Sequence, residues 1–291
     1  MSSWDKFPAP EYKETVLSPL FQGFKRHFGE YLLAIHHAHG LMLAERGWLT
    51  RDQLRAILGA LANATAGIDP AKLTYTGEYE DYFFWLEARL RKHLDADLAG
   101  RLHTGRSRND IDHTEYKMAL RARLLSILAR IEALLSTLLQ RASEGAGTLV
   151  VAYTHGQPAQ PTTFGHYLGA LIEMLLRDAE RILHALRTVD RCSLGAAAIT
   201  TSGFGLDRQR VAGLLGFAAV QENAYGCIAA IDYIAETYAA LKVLCVGLGR
   251  FVQDLNTWSG FEIGHLHAPQ VPDIVDRVSA GAVHCIRPEN P

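Results

Sequence analysis

The chain has no proline between Pro70 and Pro158, and none between Pro161 and Pro269. An interior proline removes a backbone hydrogen bond and clashes with the preceding turn, so these gaps leave room for unusually long helices. Apolar periodicity fills them. Leu124, Leu128, Ile131, Leu135 and Leu138 alternate steps of four and three, as do Leu168, Ile172, Leu175, Ala179, Ile182, Leu186 and Val189. A third series runs through Ile231, Ile234, Tyr238, Leu241, Cys245, Leu248, Val252 and Leu255. Helices of roughly 30 residues would be about 45 Å long, and an alternating three-four seam favours near-antiparallel bundle packing. The sequence therefore predicts an all-α fold, with a long-helix bundle over residues 109–270 after a smaller helical amino-terminal domain over 1–108. Strand-like alternation is nearly absent. Leu125, Leu139, Leu171, Leu176 and Val243 widen the apolar stripes beyond what one partner helix covers, which points to burial against other subunits.

In the amino-terminal region, "LTRDQLRAILGAL" opens on Thr50, a helix N-cap with Asp52 and Gln53 in the first turn. The length of 291 residues, 48% of them hydrophobic, is enough for a substantial core. A net charge of −2 argues against a nucleic-acid or anionic-membrane surface, for which a basic patch would be needed. The start "MSSWDKFPAPEYKETVLSPL" lacks a basic stretch followed by an apolar run, and no segment reaches the roughly 18 apolar residues of a membrane helix. The expectation is a cytoplasmic protein. Cys192, Cys227, Cys245 and Cys285 form no CxxC pair and read as reduced thiols. The histidines, including His36, His37 and His39, lack carboxylates at helical ligand spacing, so no metal and no cofactor is expected.

Three polar segments interrupt the scaffold. In "RLHTGRSRNDIDHTEYKMALR", Arg106, Ser107, Arg108, Asn109 and Asp110 sit at the start of a long helix, where free amide N–H groups and the helix dipole favour an anion. The same residues are compatible with an ordinary capped terminus whose arginines pair with Asp110 and Asp112. In "YTHGQPAQPTTFGHYLGA", a Thr154–His155 pair, Gln157, Gln160 and two prolines read as a short linker before the second long helix. A histidine there moves a proton near neutral pH, or is merely structural. The third, "SLGAAAITTSGFGLDRQRVAGLLGF", is glycine-rich without fitting a phosphate-binding loop. It reads as a tight connection over Ser193–Gly205, with Asp207 capping a short helix.

Together, in this order, "LHTGRSRND", "YTHGQPAQPTTFGH", "SLGAAAITTSGFGLDRQRVAGLLGF" and "IAETYAALKVLCVGLGRFVQDLNTWSGFEIG" resemble the argininosuccinate lyase family of the fumarase/aspartase superfamily, over about residues 18–264. "HAHGLMLAERGWLT" resembles that family's amino-terminal domain. The resemblance implies β-elimination. A proton leaves the carbon beside a carboxylate, a dianionic aci-carboxylate forms, and expulsion of the amine releases fumarate, with arginine as the other product. It implies that Ser107, Arg108 and Asn109 help grip a small dicarboxylate substrate, that Thr154 binds it, that His155 belongs to the acid/base machinery, and that Gln157 and Gln160 position substrate or their own segment. It also implies a homotetramer, each active site assembled from three subunits.

Two departures shape the expectation. An ungapped match puts Phe21 where the family has a substrate-contacting serine, and an ED-x-H motif reads Glu80-Asp81-Tyr82-Phe83; a lyase acting on another N-substituted aspartate therefore stays open. The family's catalytic loop "SSIMPQKxNP" does not occur, and after "FEIGHLHAPQ" the resemblance stops within a residue or two. This abruptness suggests a frameshift, since codons for "VPDIVDR" read one nucleotide later permit Phe-Arg-Ile-Ser-Ser-Ile. On that reading the chain is truncated and inactive alone, and residues 271–291 form an aberrant, unpacked tail. A noncatalytic bundle protein that keeps an anion pocket is the contrasting possibility. The nucleotide sequence at the codons for Gln270 and Val271 distinguishes them.

Overall fold

The computed structural model describes residues 8–266. The tail expected after residue 270, with Cys285, lies outside them. The fold is all-α. Helix α1 (Pro10–Tyr12), a π-helical turn (Lys13–Leu17) and α2 (Ser18–His27) follow one another, then α3 (Gly29–Glu45), α4 (Arg51–Thr65), α5 (Tyr82–Leu90) and α6 (Ala96–Arg101). The long helices are α7 (Arg108–Glu144), α8 (Phe164–Val189) and α11 (Asp232–Trp258), with the short α9 (Arg208–Leu214) and α10 (Ala224–Ala229) between the last two. As expected, Thr50 caps α4 in a reciprocal box with Gln53, and Asp207 caps α9 by accepting from Arg210 N at 2.8 Å. No helix of the described residues is long and apolar enough to cross a membrane.

Two compact units emerge, one of residues up to Leu134 with Arg177–Leu241, the other of Leu135–Leu176 with residues from Lys242. The division falls within α7, α8 and α11. In the first unit one core joins the amino-terminal helices (Phe21, Leu32, Ile35, Met42, Ile57, Leu86) to Ile111 and Met118 of α7 and to Leu194, Val211 and Phe217. Thus the start of α7 is anchored by packing on both sides of it in sequence. In the second unit, the Tyr167 ring of α8 packs at a tilt against Trp258, with ring centres 4.2 Å apart, and its hydroxyl donates to Asp254 Oδ2 at 3.2 Å.

Two differences from the sequence reading have physical causes. The segment read as a linker is an antiparallel hairpin, β1 (Leu149–Thr154) and β2 (Gln157–Thr163), with a bulge where Ala152 pairs Gln160 and Tyr153 pairs Pro158. Its prolines sit in a two-stranded ribbon, where an absent N–H leaves no central ladder broken. β3 (Arg191–Cys192) and β4 (Ala219–Val220) form a minimal parallel pair. The third apolar seam is also not where α11 packs within this chain. Tyr233, Thr237, Ala240, Leu244 and Trp258 are buried instead, while Ile234, Tyr238 and Val252 are 42%, 68% and 61% exposed.

Candidate active site

In the first unit, Ser107 caps α7. Its Oγ lies 3.4 Å from Asn109 N, while its own N–H donates to Asp110 Oδ1 at 2.8 Å. Asp110 is fully buried, and its Oδ2 accepts from Gly195 N at 2.8 Å and Ala197 N at 2.9 Å. This carboxylate sews the helix start to the glycine-rich connection, where Gly195 (φ 87), Ala197 (φ 54) and Thr201 (φ 65) bend the chain through left-handed conformations. Burial raises Asp110 to about 6 even though three amides stabilise its charged form. Asn109 is exposed and donates from Nδ2 to Ala198 O at 2.9 Å. Since a carbonyl only accepts, that bond fixes the amide's orientation.

The arginines behave differently from each other. Arg106 is buried, and its Nη2 donates to His36 Nδ1 at 2.8 Å; burial lowers the guanidinium to about 10 and, with Arg106 beside it, holds His36 well below its ordinary value. It is therefore part of the packing. Arg108 is half-buried. Its Nη1 donates to Asp81 Oδ2 at 2.6 Å, and its Nε and Nη2 donate to Asp112 Oδ1 at 3.3 and 3.2 Å. The two carboxylates keep its pKa above the usual value against the opposing effect of burial, which is the largest single influence. The pairing with Asp112 foreseen for a capped terminus is thus present, whereas Asp110 pairs with amides.

One turn further along α7 is a carboxyl the sequence reading passed over. Glu115 is fully buried, and neither oxygen has a hydrogen-bond partner. Burial, then the nearby Asp112, pushes it up to about 10. Its folded value exceeds the ordinary 4.5, so the protonated form is favoured by folding and stability is lost as pH rises from there toward 10, by about 1.4 kcal/mol per pH unit. Glu115→Gln, which removes the proton without changing shape, should melt with the parent near pH 4.5 and about 10 °C above it at pH 8. A midpoint difference independent of pH would refute this.

In the second unit, Thr154 and Gln157 pair across the hairpin end, leaving His155 (φ 53) and Gly156 (φ 72) as its two turn residues. Positive φ at both central positions is the type I′ geometry that matches strand twist. Thr154, His155 and Gln157 are all exposed, so the turn presents the imidazole beside a hydroxyl and an amide. The structure thus brings Ser107, Arg108 and Asn109 together on one helix turn, and Thr154, His155 and Gln157 together on one hairpin tip. Among the described residues no cluster of three or more His, Cys, Asp or Glu side chains could hold a metal ion. Phe21 is 2% exposed within a cage of Tyr75, Tyr82 and Trp85 rings, so this position holds core.

A family model described as "Lyase" matches residues 35–271. The chain is 52% identical over 268 residues to "Argininosuccinate lyase 2" of Agrobacterium fabrum, covering 92% of this chain and 53% of the relative. It is 36% identical to "Argininosuccinate lyase" of Methanocaldococcus jannaschii, covering 78% of this chain and 47% of that one. The chain spans about half the length of the curated relatives it matches. Among solved structures, an EDDS lyase in complex with formate superposes with a TM-score of 0.76 at 32% identity, over 88% of this chain and 50% of that one.

Proposed function

The chain belongs to the lyase family, and from that membership we propose that it carries part of the active site of an argininosuccinate lyase-type enzyme, which cleaves a C–N bond to release fumarate and arginine. The observation that carries this reading is the presence of two polar clusters, each in its own unit, in a chain so similar to argininosuccinate lyases: hydrogen-bond donors on the first turn of α7, and an exposed imidazole at a hairpin tip. Ser107, Arg108 and Asn109 hold the carboxylates of the substrate and stabilise the charge that develops as the proton leaves. Thr154 and Gln157 bind substrate, and His155 moves a proton. No cofactor takes part.

The protein acts in the cytoplasm as a homotetramer. The exposed apolar side chains of α11, which repeat as a seam, support burial against further copies. Sedimentation should give an assembly larger than one chain; a well-behaved monomer at micromolar concentration would contradict it.

Incubation with argininosuccinate, following fumarate by ultraviolet absorbance, tests the activity. The assay uses this protein and a chimera joined after Leu266 to the carboxy-terminal half of the Agrobacterium fabrum relative. No fumarate from the chimera would refute the argininosuccinate reading. A second reading, elimination from another N-substituted aspartate, draws support from Phe21 being core and from the likeness to EDDS lyase. Fumarate released from such a compound but not from argininosuccinate would select it.

A further inference from the structure

Asp81 stands immediately before α5 and does two things with one carboxylate. Its Oδ1 accepts from Phe84 N at 3.0 Å, capping the helix, and its Oδ2 accepts from Arg108 Nη1 at 2.6 Å, across 27 positions of sequence. The next turn of α5 adds a face to this grip. Arg108 Cζ lies 4.5 Å from the Phe83 ring centre and 5.8 Å from that of Phe84. With Asp112 on its other edge, the guanidinium is held at two edges and against a ring, with three of its five N–H groups engaged.

The partners differ in kind. Asp112 lies four residues along the same helix and moves wherever Arg108's backbone moves. Asp81 belongs to a different element and is itself pinned by the cap, so of the two carboxylates it alone ties Arg108 to an element other than its own helix. Paired with two carboxylates, Arg108 offers a substrate carboxylate chiefly its directed N–H groups, so its orientation matters more than its net charge.

We propose that Asp81 is a positioning residue for the reaction: through its ion pair it holds Arg108 in the orientation that receives a substrate carboxylate. The inference rests on the reading of Arg108 as a substrate-binding group. Capping and positioning are separable, because asparagine and serine also cap helices while neither can make the ion pair.

The test is calorimetric titration of the chain with fumarate at low salt, for the parent, Asp81→Asn, Asp81→Ser, Arg108→Ala and Asp81→Asn/Arg108→Ala, with melting midpoints recorded alongside. Fumarate should bind the parent, Arg108→Ala and both Asp81 variants each about tenfold more weakly, and the double variant no more weakly than Arg108→Ala. That non-additivity separates positioning from a merely structural role, which would lower the midpoint and add to the loss from Arg108→Ala. If the parent takes no fumarate, or Arg108→Ala binds it as the parent does, the reading of Arg108 fails and the inference with it. If Arg108→Ala weakens binding while the Asp81 variants match the parent, the inference alone fails. Tighter binding by Asp81→Asn would mean that Asp81 competes for Arg108 and would also overturn it.

Discussion

Replacing His155 by asparagine in the chimera is expected to reduce fumarate release about a thousandfold or more while leaving the melting midpoint within a few degrees of the parent. Removing a general acid or base costs roughly 10²–10⁴-fold in rate. Folding should survive for a local reason. His155 has φ 53 in a two-residue turn, and asparagine is among the few residues that adopt this conformation readily. The variant therefore removes the proton carrier and keeps the turn. Turnover within a few-fold of the parent would take His155 out of the mechanism.

The largest expected loss of stability follows Asp110→Ala. The carboxylate accepts from Ser107, Gly195 and Ala197 amides in a fully buried position, and alanine leaves all three without an acceptor. At about 1–3 kcal/mol for each buried group left unmade, the loss should be on the order of 4 kcal/mol in denaturant unfolding. Asp110→Asn keeps one acceptor oxygen and should fall between alanine and the parent. A loss below about 1 kcal/mol for alanine would show that the connection at 195–197 holds itself without this carboxylate.

How far the sequence was legible depends on the range of the interactions involved. The long helices could be read because a seam of leucines at three-four spacing is a local signal, and the caps at Thr50 and Asp207 because a cap and its amide lie within three residues of each other. The hairpin was missed. Its residues are mostly exposed, so no apolar alternation marks the strands, and Pro158 and Pro161 argue against a strand. Only the His155-Gly156 pair at its turn was a usable hint. The motif around Arg108 announced its residue types but not their partners: Asp81 is 27 positions away and Ala198, which orients Asn109, is 89 from it. Nothing in the periodicity of α7 distinguished Glu115, which is buried without a partner, from a charged residue on a solvated face.

The stitch that Asp110 makes also sets a clock. Its amide partners at Gly195 and Ala197 are 85 and 87 residues downstream. A ribosome adding about 5–20 residues per second reaches them roughly 4–17 s after Asp110 itself is made. Throughout that interval the first turn of α7 can form, yet the carboxylate at its heart must remain hydrated, because the site that will bury it does not exist. The first compact unit, which draws in Arg177–Leu241, likewise waits for its last third to be synthesised. During translation, then, the donors of the candidate site belong to an open and hydrated helix start, and they gain a fixed setting only once the polypeptide has returned to meet them.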